Sequence, residues 1–285
     1  MPANNKDAFG ENAEYFRDFY TRGLDCIEAL LEDELDSEAA RQHVYALAFK
    51  ENDALPKRDR RPKTTTAFQA EQIHRIHGGD EQTRRTLLQF AIVTAEYYDI
   101  VDDVVDGDVE PGYERDALLV AQLLMPILTR LLHRLGDDCV EYWTREAAAL
   151  VEAPLVHEPS EDGDQTGDAY FDLLERQASL RSSITGLAAV VAGADDEAVE
   201  RAERVGTAVH KLMQFATDLS QYPSDDDPSN AVVIFGKEEF FAQYQQLRDE
   251  LDEALSAYPE EYAARMRLPW EEDLRSEYPD GAGGS

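Results

Sequence analysis

The residues with the clearest chemical potential are four aspartates, Asp99, Asp102, Asp103 and Asp106, in the stretch Asp99-Ile-Val-Asp-Asp-Val-Val-Asp-Gly-Asp108. On a helix of about 3.6 residues per turn they fall on one face, with Ile100, Val101, Val104 and Val105 beside them as core. Carboxylates crowded in this way repel each other unless a cation neutralises them. A hard divalent ion such as magnesium takes oxygen ligands, keeps waters, and bridges one or two carboxylates to substrate phosphates. The cluster therefore reads as a magnesium–diphosphate site on a helix wall, or else as a solvated acidic face in a chain rich in acids. The apolar run from Leu87 to Tyr98 just before it favours the first reading, because surface charge is least expected there.

An element must carry this wall, and the pattern supplies one. Nearly every periodic segment has helical spacing, and strand-like alternation is almost absent. Helices are expected from Phe9 to Leu35, from Glu38 to about Lys50 with Ser37 as N-cap, from Thr64 to Gly78-Gly79, and from Glu81 to about Asp106. Further helices are expected over Tyr113–Leu135 with a bend at Pro126, and over Asp137 to about Ala153. Asp168–Gly193, Asp196–Tyr222, Lys237–Tyr258 and a short segment from Pro259 complete the set. Glu51–Pro62, Pro154–Gly167 and Pro223–Asn230 read as loops, and 279–285 as a disordered tail. The expectation is one all-α domain over 1–278, with roughly nine to eleven helices around a central cavity.

Composition sets the surroundings. The chain has 285 residues, enough for a sizeable core, and carries 60 Asp plus Glu against 27 Lys plus Arg, a formal net charge of −33. Such a surface repels nucleic acid and anionic lipid, so neither is expected as a partner. The balance resembles that of proteins from halophilic organisms, where molar salt shortens the Debye length to about 3 Å and screens the self-repulsion. A hydrophobic content of 43% with clear periodicity argues against disorder. Cys26 and Cys139 have no metal-ligand spacing and read as packed thiols of a reducing compartment. Met1-Pro-Ala-Asn-Asn-Lys lacks an apolar signal core, and Leu118–Leu135 is interrupted by Gln122, Pro126, Arg130, His133 and Arg134, so a cytoplasmic chain without a membrane span is expected. The six histidines are scattered; His74 and His77 share a helix without a ligand set and read as surface or buffer residues. No Ser-His-Asp arrangement, Walker loop or dinucleotide fingerprint occurs.

An all-helical chain with Asp102-Asp103-x-x-Asp106 ending a long helix resembles the trans-isoprenyl diphosphate synthases, the polyprenyl synthetase family. Lys57-Arg58-Asp-Arg-Arg61-Pro62 is similar to that family's Gly-Gly-Lys-Arg-x-Arg-Pro loop, which grips a diphosphate. Arg176-Gln-Ala-Ser-Leu180 sits where the family has Lys-Thr-Ala-Ser-Leu, and Val205-Gly206 through Gln214-Phe215 to Thr217-Asp218 is similar to the segment leading to its second Asp motif. Order and spacing agree from about residue 50 to 225. The resemblance implies that an allylic diphosphate ionises and alkylates isopentenyl diphosphate, with magnesium held by Asp102, Asp103, Asp106 and Asp218. It further implies that Lys57, Arg58, Arg61 and Arg115 hold phosphate oxygens, that Arg176 and Gln214 act at the reacting end, and that Tyr97 and Tyr98 floor the prenyl-chain tunnel. The two tyrosines read equally well as core aromatics. A homodimer, or a heteromer with a paralogous synthase, is implied too.

By the resemblance, the departures fall mainly on the isopentenyl diphosphate subsite and the second metal wall. The second motif reads Thr217-Asp218-Leu-Ser-Gln221, leaving one carboxylate of three. The arginine pair after the first motif falls at Pro111-Gly112, with only Arg115 near; the histidine seven residues before it is Ala95; and the acidic run Asp225-Asp226-Asp227 follows the second. These losses leave three alternatives open beside elongation: a lyase or cyclase that ionises a prenyl diphosphate, a catalytically impaired regulatory subunit, and a helical scaffold whose acids serve salt tolerance.

Overall fold

Capping residues fix where the helices begin and end. The computed structural model describes residues 10–50, 64–156, 166–222 and 228–267, without the side chains of 10–14 and 151–156. Among the described residues there are twelve helices and no strand: α1 (Gly10–Glu34), α2 (Glu38–Ala48), α3 (Thr64–Ile76), α4 (Glu81–Asp106), α5 (Glu114–Leu135), α6 (Asp137–Val156), α7 (Gly167–Gln177), α8 (Ser179–Val191), α9 (Asp196–Gln221), α10 (Ala231–Phe235), α11 (Lys237–Leu255) and α12 (Glu260–Arg267). The all-α expectation holds. Ser37 caps α2 through the Ala40 N–H, and Asp80 caps α4 through the N–H groups of Gln82 and Thr83. Gly107, at φ 74°, ends α4, and the Asp108 N–H returns to the Asp103 carbonyl at 2.8 Å. The expected loop 51–62 and the tail 279–285 lie outside the described residues.

Three boundaries differ from expectation. The single helix expected over Asp168–Gly193 is interrupted at Ala178. There the Ser179 hydroxyl donates to the Arg176 carbonyl at 2.7 Å, and those of Ser183 and Thr185 donate to the carbonyls of Ser179 (2.7 Å) and Arg181 (3.1 Å). Side-chain hydroxyls that compete for helix carbonyls bend or break the ladder. Helix α6 runs to Val156, past the end expected at Ala153. The five-residue α10 lies between the loop expected to end at Asn230 and the helix expected from Lys237, where no element is expected; it is too short to show periodicity and is held by its caps, Asn230 and Gly236.

The chain divides into two compact units, residues 1–143 with 187–195, and 144–186 with 196–285. In the first, α4 is the core element, buried from Leu87 to Glu96 and packed by α1, α3 and α5. Phe16, Phe19, Phe68 and Tyr15 form an edge-to-face cluster between α1 and α3. Beside it the buried Glu71 carboxylate receives Arg22 at 3.1 Å, Arg75 at 3.3 Å and Arg84 at 3.5 Å, which ties α1, α3 and α4 together. Glu34 likewise takes Arg130 and Arg134 at 2.8 and 2.6 Å, tying α1 to α5. In the second unit α9 is central and packs on α7, α10 and α11. Phe215 stacks on Phe240 with ring centroids 5.0 Å apart. Helices α8 and α9 approach so closely at Gly206 that an added Cβ would lie 2.8 Å from the Ser182 Cα and 2.9 Å from the Arg181 carbonyl oxygen. Only glycine fits there.

Among the described residues, α5 is the one helix long and apolar enough to be a candidate membrane span. One of its faces, from Ala117 through Leu124 and Leu131 to Leu135, is nevertheless buried as core, and α5 packs on α4.

Candidate active site

The first acid wall is a helix end. Asp102, Asp103 and Asp106 occupy the C-terminal part of α4; Asp102 and Asp106 are exposed, and Asp103 and Asp99 are half-buried. The C-terminal end of a helix carries the negative pole of its dipole, where cations are favoured and carboxylates are not. The last turn of α4 nevertheless contains no basic residue, so the wall concentrates negative charge at the pole least suited to it. A bound cation would relieve this. Among the described residues no three His, Cys, Asp or Glu side chains form a group that could hold a metal by themselves. That donor set still fits magnesium, which keeps several waters and relies on one or two carboxylates plus substrate phosphates rather than an all-protein cage.

Tyr97 and Tyr98, on the same helix, are half-buried with ring centroids 5.2 Å apart, edge to face. Burial, together with the neighbouring Tyr97 and Asp102, raises the proton affinity of the Tyr98 phenol. Arg115 is exposed in the first turn of α5. Lys57, Arg58 and Arg61 lie outside the described residues, as does the run Asp225–Asp227.

In the second unit, Arg176 is half-buried in the last turn of α7, directly before the break at Ala178. Gln214 and Asp218 come together on α9, with the Gln214 Nε2 donating to Asp218 Oδ1 at 3.1 Å. Asp218 is only 5% exposed. Its Oδ2 accepts from the Tyr170 hydroxyl at 2.6 Å and from the Ala231 N–H at 2.9 Å. Burial first, and then this hydrogen bond, pushes the Tyr170 phenol far up from its ordinary value. Thr217 turns its hydroxyl back to the Met213 carbonyl at 3.0 Å.

Several residues escaped the sequence reading. Tyr170, Asn230 and Ala231 meet Asp218 from positions 12 to 48 residues away, a separation no local pattern reveals. Arg181 is buried on α8, its guanidinium 3.3 Å from the Met213 sulfur, and burial lowers its pKa to about 10. His74, read as a surface group, is instead fully buried with Nε2 3.1 Å from the Thr83 hydroxyl.

Comparison with known proteins gives the fold a clear set of relatives. The structure matches the polyprenyl synthase of Caulobacter crescentus, solved with calcium and isoprenyl diphosphate, with a TM-score of 0.69 and 15% identity over 89% of this chain and 94% of that one. It matches a decaprenyl diphosphate synthase from Rhodobacter capsulatus with a TM-score of 0.69 and 15% identity, over 90% and 95% of the two chains. A geranylgeranyl pyrophosphate synthase from Corynebacterium glutamicum gives 0.65 and 18% identity, over 92% and 94%. In sequence, the chain is 30% identical over 115 residues to the nonaprenyl diphosphate synthase of Mycobacterium tuberculosis, which is 40% of this chain and 34% of that synthase. The match thus spans about a third of that relative's length. No family model matches. The resemblance read from the motifs is borne out: the chain has the all-α fold of the polyprenyl synthases and shares a stretch of sequence with one member.

Proposed function

We propose that the chain is a magnesium-dependent trans-isoprenyl diphosphate synthase, a transferase that joins an allylic prenyl diphosphate to isopentenyl diphosphate. One observation carries the reading: a fold shared with polyprenyl synthases over 89% of the chain ends its core helix α4 in Asp102, Asp103 and Asp106 with no basic residue in the last turn. One or two of those three carboxylates, together with substrate phosphates, would hold magnesium, which would supply charge neutralisation and Lewis acidity to the departing diphosphate. Lys57, Arg58, Arg61 and Arg115 hold phosphate oxygens by charge-assisted hydrogen bonds and stabilise the charge that grows as the carbon–oxygen bond breaks. Arg176 adds a guanidinium, and Gln214 an amide, at the reacting end. Tyr97 and Tyr98, about one turn before Asp102, limit the length of the prenyl chain.

The chain acts as one helical domain over 1–278; that α6 and α8 each run on from one unit into the other supports this. It works in concentrated salt, which its net charge of −33 supports, and in a reducing cytoplasm, which the free, buried Cys26 and Cys139 support. It pairs with a second copy of itself through α5. On that helix Leu118, Leu119, Leu123 and Met125 are 49, 49, 38 and 45% exposed. A copy related by a two-fold axis covers this apolar face with the same face of its partner. The reduced second motif, Thr217-Asp218-Leu-Ser-Gln221, supports a second reading, a catalytically impaired regulatory subunit of a paralogous synthase.

The test is incubation of the protein in molar KCl with magnesium, labelled isopentenyl diphosphate and allylic diphosphates of increasing length. A lengthened product that disappears in Asp102→Asn and Asp103→Asn is the expected result. Pyrophosphate release without lengthening replaces the reading with a lyase or cyclase. Binding without turnover, plus co-purification with a paralogue, replaces it with the regulatory subunit.

A further inference from the structure

We infer that Asp218 is the acceptor of a buried latch joining α7, α9 and α10 and does not ligate magnesium, so that the metal is held from the α4 acids alone. The latch rests on geometry; only its consequence for magnesium rests on the function proposed above. A carboxylate has about four acceptor positions. Three of them are taken by protein donors: the Tyr170 hydroxyl, the Ala231 N–H and the Gln214 amide, at 2.6, 2.9 and 3.1 Å. The main-chain carbonyl of Asp218 accepts a fourth bond, from Asn230 Nδ2 at 2.8 Å. At 5% exposure there is no room for an ion that gives up its waters reluctantly and demands near-octahedral geometry. No second carboxylate on this part of α9 could share the ion, because the neighbouring motif positions are Thr217 and Gln221, and the Thr217 hydroxyl donates to the Met213 carbonyl.

The donors show what the carboxylate is for. A helix as short as α10 cannot hold itself, since nucleation costs more than so few hydrogen bonds return. Its first amide, Ala231, is one of the N–H groups a helix leaves unsatisfied, and Asp218 satisfies it. Asn230 caps the same end by accepting from the Val232 N–H at 2.9 Å, and its amide reaches back to Asp218. Phe235, at the far end of α10, then packs on Tyr170, Phe171 and Phe215 with centroids 5.7, 5.6 and 6.1 Å away. One side chain thus anchors the polypeptide on both sides of residues 223–227, and Tyr170 belongs to both the latch and the aromatic cluster.

The experiment compares full-length Asp218→Asn, Tyr170→Phe and Asp103→Asn with the parent in molar KCl, reading the thermal midpoint and the magnesium dependence of pyrophosphate binding by calorimetry. Asp218→Asn and Tyr170→Phe should both lower the midpoint by several degrees and leave the magnesium half-saturation within about twofold, since each removes a latch hydrogen bond. Asp103→Asn should keep the midpoint and raise the half-saturation tenfold or abolish binding. A tenfold rise in Asp218→Asn with no change in Tyr170→Phe overturns the inference, as do unchanged midpoints in both. If Asp218→Asn does not fold, Tyr170→Phe decides alone: a lower midpoint at constant magnesium affinity supports the latch, and an unchanged midpoint overturns it. A parent that binds no pyrophosphate with magnesium defeats the proposed function, and the two midpoints still judge the latch.

Discussion

His74 shows how burial turns one side chain into a pH-dependent element of stability. It is fully buried, its Nδ1 has no hydrogen-bond partner among the described residues, and burial above all lowers its affinity for a proton. Asp80 and Glu71 oppose that shift, while Arg84 and Arg75 reinforce it. The folded value therefore lies below the ordinary 6.5. The unfolded chain takes up a proton that the folded chain resists, so stability is complete above the unfolded value and falls as pH drops below it towards the folded one. His74→Gln should flatten this part of the profile. Thermal midpoints of parent and variant between pH 7.5 and about 5, in constant high salt, measure it. Parallel profiles would show that His74 contributes nothing.

At the scale of elements, α4 and α5 divide the labour of the first unit. Helix α4 carries core along most of its length and ends in the acid wall. Helix α5 buries one face as core and leaves Leu118, Leu119, Leu123 and Met125 exposed on another. An exposed apolar stripe on a strongly acidic protein is costly to solubility and calls for a cover. Charges introduced into it should separate the copies. Leu119→Glu with Leu123→Glu is expected to convert a dimer to a monomer in sedimentation analysis at molar KCl, with the helical circular dichroism signal unchanged. A parent that sediments as a monomer at micromolar concentration would remove the second copy as the occupant of this face.

For the whole molecule, 60 acids against 27 Lys and Arg leave a formal net charge of −33. Two buried carboxylates draw off some of the few cations: Arg22, Arg75 and Arg84 onto Glu71, and Arg130 and Arg134 onto Glu34. What remains is a dense negative surface, whose self-repulsion weakens as salt shortens the Debye length. The thermal midpoint should rise steadily as KCl increases from about 0.1 M to molar concentration, where the Debye length falls from about 10 Å to 3 Å. A midpoint that is flat or falls over that range would show that surface charge does not limit stability.

The local codes of the chain were enough to determine the helices that carry the first wall. Asp80 as N-cap, the apolar stripe and Gly107 as terminator bound α4, and the same stripe logic found α1, α5 and α9, because capping and periodicity act within a few turns. The resemblance to the polyprenyl synthases was equally legible, carried by the order of short motifs, and the fold comparison reaches the same proteins at 15% identity. The tertiary structure alone decided the rest. It interrupted a helix at Ala178 through hydroxyls seeking carbonyls, buried His74, and folded residues 230 and 231 back onto Asp218. Whether a carboxylate is free for a metal or already committed to the protein depends on which donors the packed chain brings to it, and those come from far along the sequence.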